Sequence, residues 1–272
     1  MDKNVRQRLR RVASRQNPLV KEARRAFARG ETTADACCAI ESVRLVEEAI
    51  RSGLKLRAVF FRQSSLTVAD RLLPQIGAQV ETVLLPNEIF DSIVSTETPQ
   101  GVAALAKVKS FTVDDVLRPY QPLVVVLSGI QDPGNLGTML RSAEAFGASG
   151  VLLGEGTVSQ FNSKAVRASA GSVFRLPVIA GKLEQAVPRL RAAGLRLLAA
   201  SSHGGTPADQ ANLASPLAVF IGNEGSGLPR ELTSQMDETV MVPHPGQVES
   251  LNAAVAASIL LYEAARQRRA GI

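Results

Sequence analysis

The chain has 272 residues, of which 45% are hydrophobic and 21% charged, so it is long enough for one large domain or two smaller ones. No apolar run approaches the roughly 18 residues that a membrane-spanning helix needs, and no apolar signal segment is visible near the charged N-terminus. These features favour a cytoplasmic protein without membrane attachment. The only cysteines, Cys37 and Cys38, are adjacent, which disfavours a disulfide or a zinc site, so we expect both side chains to be buried.

The net charge of +6 is concentrated near the N-terminus. Residues 1–30 contain ten basic side chains against Asp2 and Glu22, which gives this stretch +8 and leaves the rest of the chain at about −2. Basic segments of this kind often bind nucleic acid through its phosphates, although a solvated tail has the same composition. We therefore predict a basic arm over residues 1–35, in which the dispersed arginines Arg6, Arg8, Arg10 and Arg11 attract nucleic acid non-specifically.

Residues 36–110 have the pattern of a small α/β domain. A helix is expected near residues 40–51, because Val43, Val46 and Ile50 share one face. Strands are expected in three apolar runs, at residues 56–61, 79–85 and 101–108. Two prolines mark residues 111–122 as a linker.

From Leu123 onward, short apolar runs alternate with helical segments. Strands are expected at residues 123–127, 150–153, 195–199, 217–221 and 239–242. Helices are expected near residues 136–146, 163–170, 183–193 and 250–268. This alternation is typical of a parallel sheet covered by helices, so we predict an α/β domain over residues 123–272. Ligands of such sheets bind beyond the carboxyl ends of the strands, where three loops are unusually polar or glycine-rich.

The first of these loops follows residues 123–127 and leads into a helix. Asn135 stands where a helix cap is expected, which would leave backbone N–H groups able to face an anion. Arg141 lies off the apolar face that Leu136, Leu140 and Ala143 form. The alternative is a helix cap followed by a solvated arginine.

The second loop begins at Gly222 and has three glycines within six residues. Its G-x-x-G-x-G order matches neither the dinucleotide fingerprint nor a P-loop. Glu224 in this loop can accept a hydrogen bond from a ligand, although an exposed turn carboxylate would have the same sequence.

The third loop, residues 242–252, precedes the C-terminal helix. Ser250 is the expected N-cap of that helix, and Leu251, Val255, Ile259 and Tyr262 form its expected buried stripe. Asn252 lowers helix propensity in the first turn, which suggests another task. His244 lies between two prolines, and a structural role is favoured because no acid is placed to orient it as a base.

Together these loops resemble the three signature motifs of the SpoU/TrmH family of RNA ribose methyltransferases. The matching residues are Asn135, Gly137, Arg141, Ala143 and Gly147, then Gly222, Asn223, Glu224, Gly225, Gly227 and Leu228, then Pro243, Gly246, Ser250, Leu251 and Asn252. Residues 14–21, 44–49 and 96–101 are similar to the family's L30e-like substrate-binding domain. The chain departs from the common pattern at Ser42, where many relatives have glycine, and at His244, where methionine is common.

The resemblance implies a C-terminal domain tied in a trefoil knot, with S-adenosylmethionine bound in the knotted loops and no metal. The implied donor-binding residues are Ser201, Gly222, Asn223, Gly227, Val242, Pro243 and Leu251. The implied catalytic residues are Asn135, Arg141, Glu224, Ser250 and Asn252. The implied RNA-binding residues are Arg15, Asn17, Lys21 and Arg24. The resemblance also implies a homodimer through the C-terminal domain, where Ala253, Ala254, Ala256 and Ala257 would let helices approach closely.

The expected reaction is methylation of a ribose 2'-hydroxyl in structured RNA, with 23S ribosomal RNA favoured over transfer RNA. Arg141 would either lose its proton and act as a base, or stay charged and stabilise the developing alkoxide. The main alternative is a non-catalytic RNA-binding protein that acts in ribosome assembly. A nicotinamide-dependent dehydrogenase is a distant third, because the chain lacks the G-x-G-x-x-G fingerprint.

Overall fold

The structure is a computed structural model that describes residues 5–246 and 248–271. The chain forms two compact units, an N-terminal unit of residues 1–110 and 159–174 and a C-terminal unit of residues 111–158 and 175–272. Each unit is built around its own mixed or parallel sheet. No helix among the described residues is long and apolar enough to cross a membrane.

The N-terminal unit has a five-stranded sheet in the order β1-β4-β3-β5-β2. Its strands are β1 (Arg10–Arg11), β2 (Cys37–Glu41), β3 (Lys55–Arg62), β4 (Glu81–Leu85) and β5 (Val102–Lys107). Its helices are α1 (Pro18–Arg29), α2 (Val43–Arg51), α3 (Leu66–Leu72), α4 (Asn87–Asp91) and, from the later segment, α7 (Ser163–Ala168). Strand β2 pairs antiparallel with β5, whereas β3 and β4 are parallel.

Helix α1 and helix α2 pack on opposite faces of this sheet. The core on the α1 side contains Cys37 and Ala39 of β2, whereas Cys38 and Ile40 point to the other face because strand side chains alternate. Both cysteines are buried, which confirms the expectation from their sequence, and burial raises the pKa of the Cys38 thiol to about 12.

Two predictions for this unit are wrong. The predicted helix over residues 40–51 begins only at Val43, because residues 37–41 form strand β2. The apolar residues of this strand directly precede the helix, so the sequence pattern did not separate the two elements. The predicted arm over residues 1–35 is not a separate segment. Its residues 10–11 pair with β4, and residues 18–29 form α1, whose buried face includes Leu19, Val20 and Phe27. The first four residues of that arm, including Lys3, lie outside the described residues.

The C-terminal unit has a seven-stranded parallel sheet in the order β10-β12-β9-β11-β6-β7-β8. Its strands are β6 (Leu123–Leu127), β7 (Gly150–Leu153), β8 (Val178–Ala180), β9 (Arg196–Ser201), β10 (Thr206–Pro207), β11 (Leu217–Ile221) and β12 (Glu238–Met241). Its helices are α5 (Val113–Leu117), α6 (Pro133–Ala145), α8 (Leu183–Ala192), α9 (Arg230–Thr233) and α10 (Ala253–Ala270). The five predicted strands are confirmed, and the short edge strands β8 and β10 are additional. The predicted linker contains α5.

Helix α10 buries a different face from the one predicted. Its buried residues include Ala253, Ala254, Ala257, Leu260 and Leu261, and it packs against α6. The predicted stripe is instead on the outside, where the exposed fractions are 47% for Val255, 38% for Ile259 and 49% for Tyr262. Ser258 also faces α6, since its hydroxyl lies 2.7 Å from that of Ser142.

Candidate active site

The candidate site lies at the carboxyl ends of two neighbouring parallel strands of the C-terminal unit. Strands β6 and β11 are paired in register up to Leu127 and Ile221, so the loops that follow them begin side by side. The Ser128 amide donates to the Ile221 carbonyl at 3.0 Å and extends this pairing by one residue. This edge is where open α/β sheets place their ligands.

The first loop is fixed by a helix cap that the sequence analysis missed. The N-cap of α6 is Asp132, whose carboxylate accepts the Asn135 amide at 2.8 Å, and Pro133 occupies the first helical position. The predicted cap, Asn135, is therefore wrong, and its own N–H is not available to an anion. An acid followed by proline is a helix-start signal that could have identified Asp132. Because Asp132 caps the helix, the Asn135 side chain is released for other contacts.

Three amide and carboxylate side chains that are far apart in the sequence form one hydrogen-bonded chain. The Asn252 Nδ2 donates to the Asn135 Oδ1 at 3.2 Å, and the Asn135 Nδ2 donates to the Glu224 carboxylate. The structure thus brings together three of the five predicted catalytic residues, which are separated by 89 and 117 positions in the sequence. The two bonds fix the orientation of the Asn135 amide, with its Nδ2 toward Glu224 and its Oδ1 toward Asn252.

Arg141 lies on the exposed side of α6, opposite the buried Leu136 and Leu140. Its guanidinium makes no hydrogen bond or ion pair with another described residue. The structure therefore shows no direct bond between Arg141 and the other residues for which the resemblance implies a catalytic role. An exposed cationic side chain without a partner is suited to bind a phosphate or a developing anion.

The glycine-rich loop after β11 is held by Asn223. Its Nδ2 donates to the Gly129 carbonyl at 2.9 Å, while its Oδ1 accepts the amides of Gly225 at 2.9 Å and Ser226 at 3.2 Å. The backbones of Asn223 and Gly227 pair with each other at 2.9 and 3.1 Å. The side chain of Asn223, a predicted donor-binding residue, is thus engaged in shaping the loop.

Gly222 is required by the close approach of two stretches of backbone. A Cβ atom at this position would lie 2.2 Å from the Gly227 carbonyl carbon and 2.4 Å from the Leu228 nitrogen. Gly227 itself adopts a positive φ of 67°, which favours glycine. The sequence G-x-x-G-x-G therefore builds a tight hairpin at the end of β11.

The third loop ends at a cap different from the one predicted. Asn252, and not Ser250, is the N-cap of α10, and its Oδ1 accepts the amides of Ala254 at 2.9 Å and Val255 at 3.3 Å. Asn252 therefore has two roles, as the cap of α10 and as a hydrogen-bond donor to Asn135. Ser250 is exposed two residues before this cap, and Gln247 lies outside the described residues.

The residues predicted to hold the methyl donor lie at the ends of three adjacent strands. Gly222 follows β11, Val242 follows β12, and Ser201 ends β9, where its hydroxyl donates to the His203 carbonyl at 2.9 Å. Pro243 is exposed next to Val242. Among the backbone hydrogen bonds of described loop residues, none involves Gly222, Val242 or Leu251. Their backbone groups can therefore bind the polar edges of a ligand. The absence of a Cβ at Gly222 lets the backbone of Gly227 and Leu228 pack against it in the adjoining hairpin.

The predicted RNA-binding residues lie in the N-terminal unit. Arg15 and Lys21 are exposed and have no partner among the described residues. Asn17 instead caps α1, since its Oδ1 accepts the Leu19 amide at 3.0 Å. Arg24 donates to the Ser92 hydroxyl at 3.3 Å, and its Nε is buried without a partner. Asn17 and Arg24 therefore have structural contacts, whereas Arg15 and Lys21 remain available.

Several basic side chains of the predicted arm are used within the unit. Arg6 forms a bidentate ion pair with Asp70, Arg8 donates to three backbone carbonyls, and Arg10 pairs with Glu81. These three side chains are thus engaged within the unit, and their attraction of nucleic acid stays a prediction. Within the described part of the chain, no three His, Cys, Asp or Glu residues are grouped so that they could hold a metal.

Comparisons with known proteins match both units. The SpoU rRNA Methylase family model matches residues 122–262, and the MRM3-like substrate binding domain matches residues 17–104. The chain is 32% identical to the 23S rRNA (guanosine(2553)-2'-O)-methyltransferase RlmP of Bacillus subtilis, over 93% of this chain and 98% of that protein. The AdoMet-bound rRNA methyltransferase of Sinorhizobium meliloti is 29% identical, with a TM-score of 0.80 over 96% of this chain and 98% of that one. The AdoMet complex of the SpoU methyltransferase AviRb of Streptomyces viridochromogenes is 26% identical, with a TM-score of 0.82 over 94% and 100%.

Proposed function

Because the chain belongs to the SpoU rRNA Methylase family, we propose that it transfers a methyl group from S-adenosylmethionine to a ribose 2'-hydroxyl of ribosomal RNA. The observation that carries this proposal is the hydrogen-bonded chain of Asn252, Asn135 and Glu224 at the start of α6, the helix that also carries the exposed Arg141. Its RlmP relative is named for 2'-O-methylation of a guanosine in 23S ribosomal RNA, which makes 23S RNA the favoured substrate. A ribosomal substrate implies a cytoplasmic enzyme.

The donor fits the loops that follow β9, β11 and β12. Gly222, Val242 and Leu251 would hold it through backbone groups, with Ser201, Pro243 and Gly227 around it. When bound, S-adenosylmethionine supplies an electrophilic methyl group on a positively charged sulfur. Asn223 keeps the hairpin in shape for that binding and need not touch the donor.

Arg141 is the residue we assign to the ribose and its phosphate. Its exposed guanidinium is expected to stay charged, which favours anion binding over proton abstraction. It would bind the phosphate next to the target nucleotide and stabilise negative charge on the 2'-oxygen, while the hydroxyl proton is released to solvent. Asn135 would position the ribose, since both ends of its amide are fixed by Asn252 and Glu224. Ser250 is exposed near this chain and would contact the RNA.

Donor binding separates this function from RNA binding without catalysis. Titration calorimetry of the purified protein with S-adenosylmethionine should detect a one-to-one complex in the presence of a chelator. A protein that acts only as a ribosome-assembly factor would show no such heat while still binding ribosomal RNA.

We also propose that the C-terminal unit is knotted and that two copies associate through α10. The strand order is compatible with the knot, because β11 lies between β9 and β6, which both precede it in the chain. The dimer is favoured by Val255, Ile259 and Tyr262, which are exposed apolar side chains on one side of α10. The alanines predicted for close helix approach are not the contact, because Ala253, Ala254 and Ala257 are buried within the unit.

Light scattering tests the dimer. The wild-type protein should have twice the mass of one chain at micromolar concentration, and Ile259→Asp should give a monomer because an unpaired carboxylate in an apolar interface is unfavourable. Glu184→Gln, a change of an exposed carboxylate on α8, is the control that should remain dimeric. A wild-type monomer would contradict the proposal.

A further inference from the structure

An open cavity of about 600 Å³ lies beside α1 in the N-terminal unit. One side of the cavity is formed by α1, and the other by the loop of residues 31–35. Arg57 of β3 contributes to the lining, and it forms ion pairs with both Glu22 and Asp35. The site is distinct from the candidate active site, whose residues all belong to the other unit.

Three basic side chains stand in a row along the rim of this cavity. Lys21, Arg25 and Arg29 are spaced four residues apart on α1, so successive side chains are about 6 Å apart along the helix axis. All three are exposed, and none has a hydrogen bond or ion pair with another described residue. The nearby carboxylates of Glu22 and Asp35 do not pair with them, because Arg57 binds both.

The pairing pattern distinguishes this row from the other basic residues of the N-terminal segment. Arg6, Arg8 and Arg10 are tied to acidic side chains or to carbonyls of their own unit. The row on α1 is instead left with unneutralised charge in a regular arrangement. Such a row matches successive phosphates along one strand of a nucleic acid.

We infer that this cavity binds one unstacked nucleotide of the RNA substrate while the row on α1 binds the flanking phosphates. The inference rests on the proposed function and names the part of the N-terminal unit that holds the RNA. The volume of about 600 Å³ is within the range of small-molecule sites and can accommodate a nucleotide.

The lining of the cavity suits a base more than a further phosphate. Glu31 and Asp35 supply carboxylate oxygens and Thr32 a hydroxyl, which can accept from the amino and imino groups of a base edge. The guanidinium planes of Arg25 and Arg29 at the rim can stack on a base face. Single-stranded loops with splayed bases therefore fit this site better than a continuous duplex.

Two double variants with the same change in charge test the inference. Arg25→Gln/Arg29→Gln removes two members of the row, whereas Arg44→Gln/Arg51→Gln removes two exposed arginines from α2 on the opposite face of the sheet. Affinity of the full-length protein would be measured with a short fluorescein-labelled single-stranded RNA at several salt concentrations. An abasic RNA of the same length is the second probe, because it keeps the phosphates and lacks the bases.

The row variant should flatten the log–log salt slope by about 1.4, which corresponds to two phosphate contacts on a single strand. The control variant should change the slope by well under half of that. The wild-type protein should bind the abasic RNA at least about fivefold more weakly than the intact RNA, because base stacking is lost. That difference should shrink in the row variant.

Equal slopes in the two double variants would overturn the inference. Equal affinity of the wild type for intact and abasic RNA would overturn the placement of a base in the cavity. Displacement of the RNA by polyglutamate, added at the same concentration of negative charges as the RNA, would overturn the inference. It would show that the row on α1 is a docking surface for acidic proteins. Donor binding and methyl transfer by the wild type are measured in parallel, so a failure of the proposed function would be recognised separately.

Discussion

The side chain of Asn252 has two separable tasks, and two substitutions distinguish them. Its Oδ1 caps α10 by accepting the amides of Ala254 and Val255, and its Nδ2 donates to Asn135. Asn252→Ala removes both contacts, so it should lower the free energy of unfolding by about 1 kcal/mol through loss of the cap. It should also lower turnover, because Asn135 then loses one of the two partners that fix its amide.

Asn252→Asp keeps the acceptor and loses the donor. A carboxylate remains a good N-cap and is favoured by the helix dipole, so stability should stay within about 0.5 kcal/mol of the wild type. The carboxylate would face the Asn135 Oδ1, which is also an acceptor. Asn135 can then keep its bond to Glu224, in which case its Oδ1 has no donor. Alternatively, its amide group rotates by about 180° and the bond to Glu224 is lost. Turnover should therefore fall about tenfold in both variants, or about 1.4 kcal/mol of barrier.

The two assays are urea denaturation and methyl transfer to ribosomal RNA at saturating donor. Wild-type turnover in Asn252→Asp would refute the idea that this hydrogen-bonded chain positions Asn135 for the reaction. A loss of stability in Asn252→Asp as large as that in Asn252→Ala would refute the assignment of Asn252 as the cap.

Three further predictions follow from the same structure. Arg141→Ala should lower turnover at least about a hundredfold, or about 2.7 kcal/mol, with little change in the donor affinity measured by calorimetry; collapse of donor binding instead would contradict its role. Gly222→Ala should weaken donor binding about tenfold, because the added Cβ would clash with the backbone of Gly227. Gly225→Ala is the matched control, because its Cβ would make an ordinary contact 3.5 Å from the Asn223 side chain. Equal donor affinities of the two variants would contradict this prediction. Burial raises the pKa of Glu41 above 4.5, so the folded state binds the proton of this carboxyl group more tightly than the unfolded state does. The free energy of unfolding should therefore fall as the pH rises from about 4.5 through the folded pKa. Thermal unfolding of Glu41→Gln should lack this pH dependence, and the same pH profile in the variant and the wild type would contradict the prediction.

Most of the C-terminal unit could be predicted because its signals are local. Strands β6, β7 and β11 have the predicted bounds, since each is a short apolar run bounded by polar or glycine-rich turns. The loops after β6 and β11 were found by the same reasoning, because parallel strands bring their carboxyl ends to one edge.

The errors arise where a residue's partner is distant or where two local signals compete. Ser250 and Asn252 are both good caps, and the bond from Asn252 to Asn135, 117 positions away, is not visible in sequence. The pairing of Arg6 with Asp70 is equally long-range, so charge counting alone overestimated the basic residues available to RNA. For α10 the aliphatic period suggested the wrong face, because the alanines, Leu260 and Leu261 pack inside while Val255, Ile259 and Tyr262 are left exposed.

Methyl transfer to a ribose is tested most directly by nucleoside mass spectrometry of 23S ribosomal RNA. RNA transcribed without modifications would be incubated with the purified protein, S-adenosylmethionine and a chelator, then digested to nucleosides. We expect one added methyl group on a ribose 2'-oxygen, and none with Arg141→Ala. A methyl group on a base, or no methylation of ribosomal RNA by a protein that binds both the donor and the RNA, would contradict it.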